Sequence, residues 1–192
     1  MTRAYAETMF SKAAKKLQAT HGSRAQYERL AAMGPREDAL GPMEQDFIRR
    51  RDSMYIASIT ENGWPYVQHR GGPKGFLRVL DGRTLAFADF AGNKQYITAG
   101  NLETNDRVAL FLIDYPNQAR LKIIGHAKVV EGDAALEAKV RVEGYKATVE
   151  RVVVIAVKAY DWNCSQHITP RWTREEIEGV MASTSGQRPA KG

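Results

Sequence analysis

The chain has 192 residues, of which 43% are hydrophobic and 26% charged, close to the averages of globular proteins. This composition excludes a disordered, fibrous or integral membrane protein, because the longest apolar runs fall far short of the roughly 20 residues that cross a bilayer. Twenty-eight basic and 22 acidic residues give a net charge of +6, which favours an anionic partner. The single cysteine, Cys164, excludes an internal disulfide. Because the segment near the start has no apolar stretch of the secretory type, we expect a cytoplasmic protein.

The first 51 residues have the periodicity of short helices. Apolar residues at positions 10, 13, 14 and 17 predict a helix that ends at His21, and Ser23 is a candidate N-cap for a second helix that ends at Gly34. Pro42, at a first helical position, predicts a third helix. We therefore expect residues 1–51 to form a helical extension that packs on the following domain.

From residue 53 onward the sequence changes to short apolar segments bounded by turns, a pattern typical of antiparallel strands. Hairpin turns are predicted at Asn62-Gly63 and Asp81-Gly82, and helices are predicted at 96–102 and after Asp133. The predicted strands are 54–60, 64–69, 76–80, 84–90, 108–114, 120–131 and 151–160. Strands at this spacing favour a small antiparallel barrel over 52–182, followed by a flexible tail at 183–192.

Three segments combine cationic residues with glycines, turns or aromatic residues. In segment 67–76, Arg70 or Lys74 can bind phosphate oxygens beside glycines that admit a ligand, although a plain surface loop fits the composition equally well. In segment 89–96, Lys94 precedes a helix start that favours an anion, the alternative being an ordinary helix N-terminus with a solvated lysine. In segment 161–172, two tryptophans flank polar side chains, which suits either a ligand or the packed end of a strand.

Other kinds of chemistry find little support in the sequence. The phosphate-binding glycine loop of ATPases, the nucleophile elbow of hydrolases and the HExxH zinc motif are missing, and the carboxylates and histidines are dispersed. Cys164 has His167 three residues later, but an inert cysteine is the more frequent outcome of such spacing. A nucleic-acid partner would rest on net charge alone, because the sequence has no basic recognition helix or aromatic RNA-binding signature.

Taken together and in this order, the segments resemble a known family. The motifs are Asn-Gly-Trp-Pro, His-Arg-Gly-Gly-Pro, Phe-Ala-Asp-Phe-Ala-Gly-Asn-Lys-Gln-Tyr, Asn-Asp-Arg-Val-Ala-Leu-Phe and Asn-Cys-Ser-Gln-His-Ile. Over residues 46–172 the chain is similar to the pyridoxamine 5′-phosphate oxidase-related proteins, which bind FMN. The resemblance implies a mainly β (β+α) fold, a six-stranded antiparallel split β-barrel with short N-terminal helices. It also implies a homodimer with the cofactor at the interface.

The resemblance further implies a set of cofactor-binding residues, each at a position that matches a motif of the family. The turn that would hold the FMN phosphate consists of Asn93, Lys94 and Gln95, and the strand that would run along the flavin carries Gln68, His69, Arg70 and Gly71. The residue that would reach across from the partner chain is Arg120. The segment that would close over the ring system contributes Trp162, Gln166 and His167. No metal site is expected, and no catalytic acid or base can be assigned.

The chain departs from true pyridoxamine 5′-phosphate oxidases at two motifs. Those enzymes carry Arg-x-His near the C-terminus and an Arg-Pro segment that binds the substrate phosphate, whereas this chain has Ser165-Gln166-His167-Ile168 and no Arg-Pro within 133–146. We therefore expect an FMN-dependent oxidoreductase for another small molecule or a nicotinamide donor, without nucleic-acid or membrane partners. The alternative is a non-catalytic module that binds a flavin, F420 or haem, F420 being less expected than FMN.

Overall fold

The structure, a computed structural model, describes residues 1–34, 39–163 and 165–185. Its helices are α1 (Arg3–Met9), α2 (Lys12–Thr20), α3 (Arg24–Met33), α4 (Pro42–Arg49), α5 (Ile97–Thr104), α6 (Ala134–Val140) and α7 (Arg174–Ser185). Its strands are β1 (Ser53–Ile59), β2 (Pro65–Gly71), β3 (Leu77–Asp81), β4 (Thr84–Phe90), β5 (Arg107–Asp114), β6 (Ala119–Val130) and β7 (Val149–Asn163).

The N-terminal extension begins with two helices where the apolar period predicts one. The hydroxyl of Ser11 accepts a hydrogen bond from the backbone N–H of Ala14 at 3.1 Å, which starts α2 and separates it from α1. α1 packs on the sheet through Tyr5, which is buried together with Ile124 and Ala159, whereas α2 and α3 bury no residue. Among α1–α3 the contact with the sheet is therefore made mainly by α1, and α4 adds Ile48, which is fully buried in the main core.

The seven strands form one antiparallel sheet in the order β2-β1-β5-β6-β7-β4-β3. This confirms the predicted fold class, and each strand predicted from the sequence is present. The described sheet has seven strands, one more than the six implied by the resemblance and as many as the sequence pattern predicts. Alternate residues of the central strands point inward. The fully buried core includes Ile56, Leu85, Leu110, Leu112, Leu121, Ile123 and Ile155.

An ion pair joins strands that lie far apart in the sheet order. Arg70 on β2, at one edge of the sheet, lies 2.5 Å from the carboxylate of Asp89 on β4, next to the opposite edge. The sheet must curl to bring these two residues together, as a barrel requires. The closure places the end of β2 against the end of β4, where α5 begins.

The start of the expected flexible tail is helical, because α7 spans residues 174–185. The flexibility of the tail stays a prediction. The remaining tail residues, 186–192, and Cys164 lie outside the described residues. Within the described ranges, no helix combines the length and apolarity needed to cross a membrane.

Candidate functional site

A small cavity of about 90 Å³ lies between β2, the end of β4 and the residues that precede α5. Its lining joins two of the segments singled out in the sequence. The lining includes Gln68 and Arg70 of the first segment and Asn93, Lys94 and Gln95 of the second. Barrel closure therefore brings these predicted site residues together, although they lie on separate elements.

Residues 93–96 form a turn with an unusual backbone, here called the 93–96 turn. Lys94 and Tyr96 have φ angles of 58° and 52°, in the left-handed region that residues other than glycine seldom adopt. The side-chain oxygen of Asn93 accepts a hydrogen bond from the backbone N–H of Gln95 at 3.3 Å. Left-handed residues of this kind cost on the order of 1–3 kcal/mol each and persist only where the surroundings hold them.

Two cations of the cavity differ in how they are paired. Arg70 is bound to Asp89, whose side chain is only 10% exposed and whose carboxylate also lies 3.4 Å from Nε of Arg151. Lys94, by contrast, is exposed and forms no ion pair within the described part of the chain. Its ammonium group is therefore the cation most readily offered to an anionic ligand.

Arg70 also has an unsatisfied donor. Its Nε atom is buried and has no hydrogen-bond partner among the described residues. A buried N–H without a partner costs about 1–3 kcal/mol, so an acceptor on a bound molecule would relieve this cost. The side-chain amide oxygen of Gln68, Oε1, accepts a hydrogen bond from the Thr98 hydroxyl at 2.7 Å, which fixes this side chain beside Arg70. The cavity is thus suited to a phosphate or a similar anion.

The other predicted residues of β2 do not line the cavity. His69 lies on the opposite, outer face of the strand, where its ring packs edge-on against Tyr55 with 5.6 Å between centroids. Gly71 ends the strand opposite Ser53. The alternation of side chains along a strand explains the division, because Gln68 and Arg70 share one face and His69 takes the other.

The predicted residues of the later segments lie outside this cavity within one chain. Arg120 is on β6 opposite residue 163, and its Nε, like that of Arg70, is buried without a hydrogen-bond partner among the described residues. The indole N–H of Trp162 donates to the Glu44 carboxylate at 2.7 Å, and its ring packs on Phe47 at 4.8 Å. Gln166 and His167 are exposed in the turn after β7.

Arg151 is a residue of this region that the sequence did not identify. It pairs directly with Asp89 in the β4–β7 register, and its guanidinium lies over the ring of Tyr96 at 4.5 Å. A charged residue directly before the apolar run Val152–Val157 was the available signal. Its partners come from distant parts of the chain, however, so the sequence could not assign it to the site.

The outer face of β2, β1 and β5 is an open apolar surface. Tyr55 is 39% exposed and Val67 is 61% exposed on this face. Beside them lies a cavity of about 480 Å³ whose walls are mainly apolar, including Ala57, Ile59, Pro65, Ala109 and Ile124. A contiguous apolar surface of this kind is typical of an interaction site.

Comparison with known proteins agrees with this architecture. HupZ of Group A Streptococcus has 17% sequence identity and a TM-score of 0.54, and the match covers 69% of this chain and 99% of that chain. The conserved hypothetical protein Rv2991 from Mycobacterium tuberculosis has 19% identity and a TM-score of 0.51, with 73% and 96% covered. At these identities both structures support the fold alone.

A family model carries the assignment further than the single structures do. No curated protein matches this sequence. The model described as pyridoxamine 5′-phosphate oxidase matches residues 41–163, which is well over half of the 192 residues. The resemblance noted in the sequence is thereby confirmed, and the chain belongs to the pyridoxamine 5′-phosphate oxidase family.

Proposed function

We propose that this protein is an FMN-dependent oxidoreductase that binds the cofactor phosphate in the cavity between β2 and the 93–96 turn. The observation that carries the proposal is the meeting of the unpaired Lys94 ammonium with the buried, unsatisfied Nε of Arg70 at one cavity. Both groups suit a phosphate, which accepts several charge-assisted hydrogen bonds. When bound, FMN supplies the capacity to accept a hydride or two electrons.

The protein's own residues would hold and orient the cofactor. Lys94, Arg70 and the backbone of the 93–96 turn would bind the phosphate, while Gln68 would lie beside the rest of the molecule. No acid or base is assigned, since the buried carboxylate of the cavity, Asp89, is engaged by arginines. Substrate chemistry would therefore depend on how the residues expose and position the flavin.

The size of the cavity supports the proposal of a homodimer. A volume of about 90 Å³ suits a phosphate group but lies far below the roughly 300–1,000 Å³ of pockets that enclose whole ligands. The flavin ring system would then extend over the surface and need a cover from another chain. The open face around Tyr55 and Val67 offers an interface, and Arg120, Gln166 and His167 would be the partner's contribution.

Measurement of FMN affinity in a Lys94→Ala variant tests the proposal. Loss of one charge-assisted phosphate contact should weaken binding by about ten- to a hundredfold, measured by flavin fluorescence. Lys12→Ala, which removes an exposed lysine on α2, is the matched control and should bind FMN normally. Unchanged affinity in Lys94→Ala would reject the phosphate assignment, and a wild-type protein that takes up no added FMN would reject the proposed function.

A non-catalytic carrier or sensor of the same cofactor is the second candidate. It is favoured because the two carboxylates among the described residues of the cavity, Asp89 and Glu150, are both paired with arginines. Turnover separates the two candidates. Bleaching of the flavin absorbance by NAD(P)H or another donor supports the oxidoreductase, and a flavin that stays oxidised with every donor supports the carrier. Mass spectrometry of the molecule released on denaturation distinguishes FMN from F420 and haem. The cytoplasmic location stays a prediction.

A further inference from the structure

We propose that Arg151 is a positioning residue that holds the 93–96 turn in its binding conformation by stacking on Tyr96. The inference rests on the proposed function and adds to it a residue from a different strand. Arg151 does not line the cavity formed by the described residues, but three residues that it contacts do: Asp89, Tyr96 and Glu150. Of these three, Tyr96 belongs to the 93–96 turn, so Arg151 would act on the turn through Tyr96.

The guanidinium of Arg151 is held in place by three carboxylates. Nη2 donates to Glu150 at 2.8 Å, Nε lies 3.4 Å from Asp89, and Nη1 lies 3.7 Å from Glu131. The side chain is only 12% exposed. These contacts come from β4, from β7 itself and from the residue after β6, so the orientation of the guanidinium is fixed by the sheet.

Tyr96 has the opposite character, since it is 45% exposed and follows a loop. Its ring centroid lies 4.5 Å from the guanidinium carbon of Arg151, within the range of a cation–π contact. Tyr96 is also the N-cap residue of α5 and has a left-handed backbone. A fixed ring therefore constrains both the strained backbone of the turn and the direction in which the first N–H groups of α5 point.

One buried carboxylate connects the two sides of the cavity. Asp89 pairs with Arg70, which lines the cavity, and with Arg151, which stacks on the turn. The cross-strand register of β4 and β7 places Asp89 directly opposite Arg151. The sheet thus sets the distance between Arg70 and the 93–96 turn before any ligand binds, which lowers the ordering cost of binding.

The experiment compares the affinities of FMN and riboflavin, which lacks the phosphate. Arg151→Lys keeps the charge and removes the planar stacking group, and Tyr96→Leu removes the ring at an exposed position. Both variants should bind FMN about five- to thirtyfold more weakly, with riboflavin affinity unchanged within about twofold. Tyr27→Leu, which removes a ring at an exposed position on α3 away from the cavity, is the matched control and should bind both flavins as the wild type does.

The outcomes separate this inference from the proposed function. A wild type that binds neither flavin rejects the proposed function itself. FMN affinity unchanged in Tyr96→Leu, or FMN and riboflavin affinities lowered equally, overturns the role of Arg151 while leaving the proposed function standing. The double variant should lose no more FMN affinity than the single variant with the larger loss, because both changes remove the same contact. Additive losses would also overturn the inference.

Discussion

Replacement of Asp89 by asparagine should destabilise the protein by about 2–3 kcal/mol, because this carboxylate joins strands across the closure of the sheet. Asp89 is 7% exposed and lies 2.5 Å from Arg70 and 3.4 Å from Arg151. Removing one partner of a buried ion pair costs about 3–5 kcal/mol. We take a lower value because Arg70 keeps some contact with water and Arg151 retains Glu150.

Chemical and thermal unfolding measure the effect of Asp89→Asn directly. For a chain of this size a loss of 2–3 kcal/mol lowers Tm by about 4–12 °C and shifts the urea midpoint at constant slope. Asp106→Asn is the matched control, since its carboxylate contacts His126 at the surface, where such pairs contribute about 0–1 kcal/mol. An Asp89→Asn protein as stable as the control would refute the role assigned to this carboxylate.

Two further predictions concern positions away from the cavity. A Cβ added at Gly125 would overlap the carbonyl oxygen of Ala156. Gly125→Ala should therefore lower the unfolding free energy by about 1–3 kcal/mol, measured by urea titration. An unchanged urea midpoint would contradict the packing described. Burial raises the pKa of Asp114, but hydrogen bonds from Asn117 and the Arg51 guanidinium outweigh it and hold the pKa below its usual range. The ionised Asp114 carboxylate therefore stabilises the fold fully above about pH 4, and this stabilisation is lost as the pH falls through the lowered pKa. In Asp114→Asn the Tm should fall less steeply with decreasing pH than in the wild type. An equally steep fall of Tm at acid pH would contradict this role.

Local patterns predicted most of the secondary structure correctly. β4 occupies the predicted range 84–90, and Asp133 caps α6 as expected, its carboxylate accepting a hydrogen bond from the N–H of Leu136 at 2.9 Å. The break between α1 and α2 was not predicted, because the apolar period continues past Ser11 and conceals the cap. α7 was also missed.

The candidate site was predictable in part. The segments with Arg70 and Lys94 were identified from glycines, turns and family motifs, but their meeting depends on closure of the barrel, which local sequence does not encode. Arg151 could not be assigned because its acidic partners lie at positions 89, 131 and 150, and its stacking partner is Tyr96. Such a residue acquires its role only from the register of β4 and β7.

The position of β7 in the sheet has a consequence for how the protein folds during synthesis. β4 pairs only with β3 and β7 in the described sheet, so the β3–β4 hairpin joins the other strands through the last strand of the chain. Until residues 149–163 leave the ribosome, this hairpin has no neighbouring strand in the described sheet, although α4 can already pack on β3. We expect the nascent chain to gain resistance to protease in one late step, at which Asp89 first meets Arg151 and the cavity takes shape.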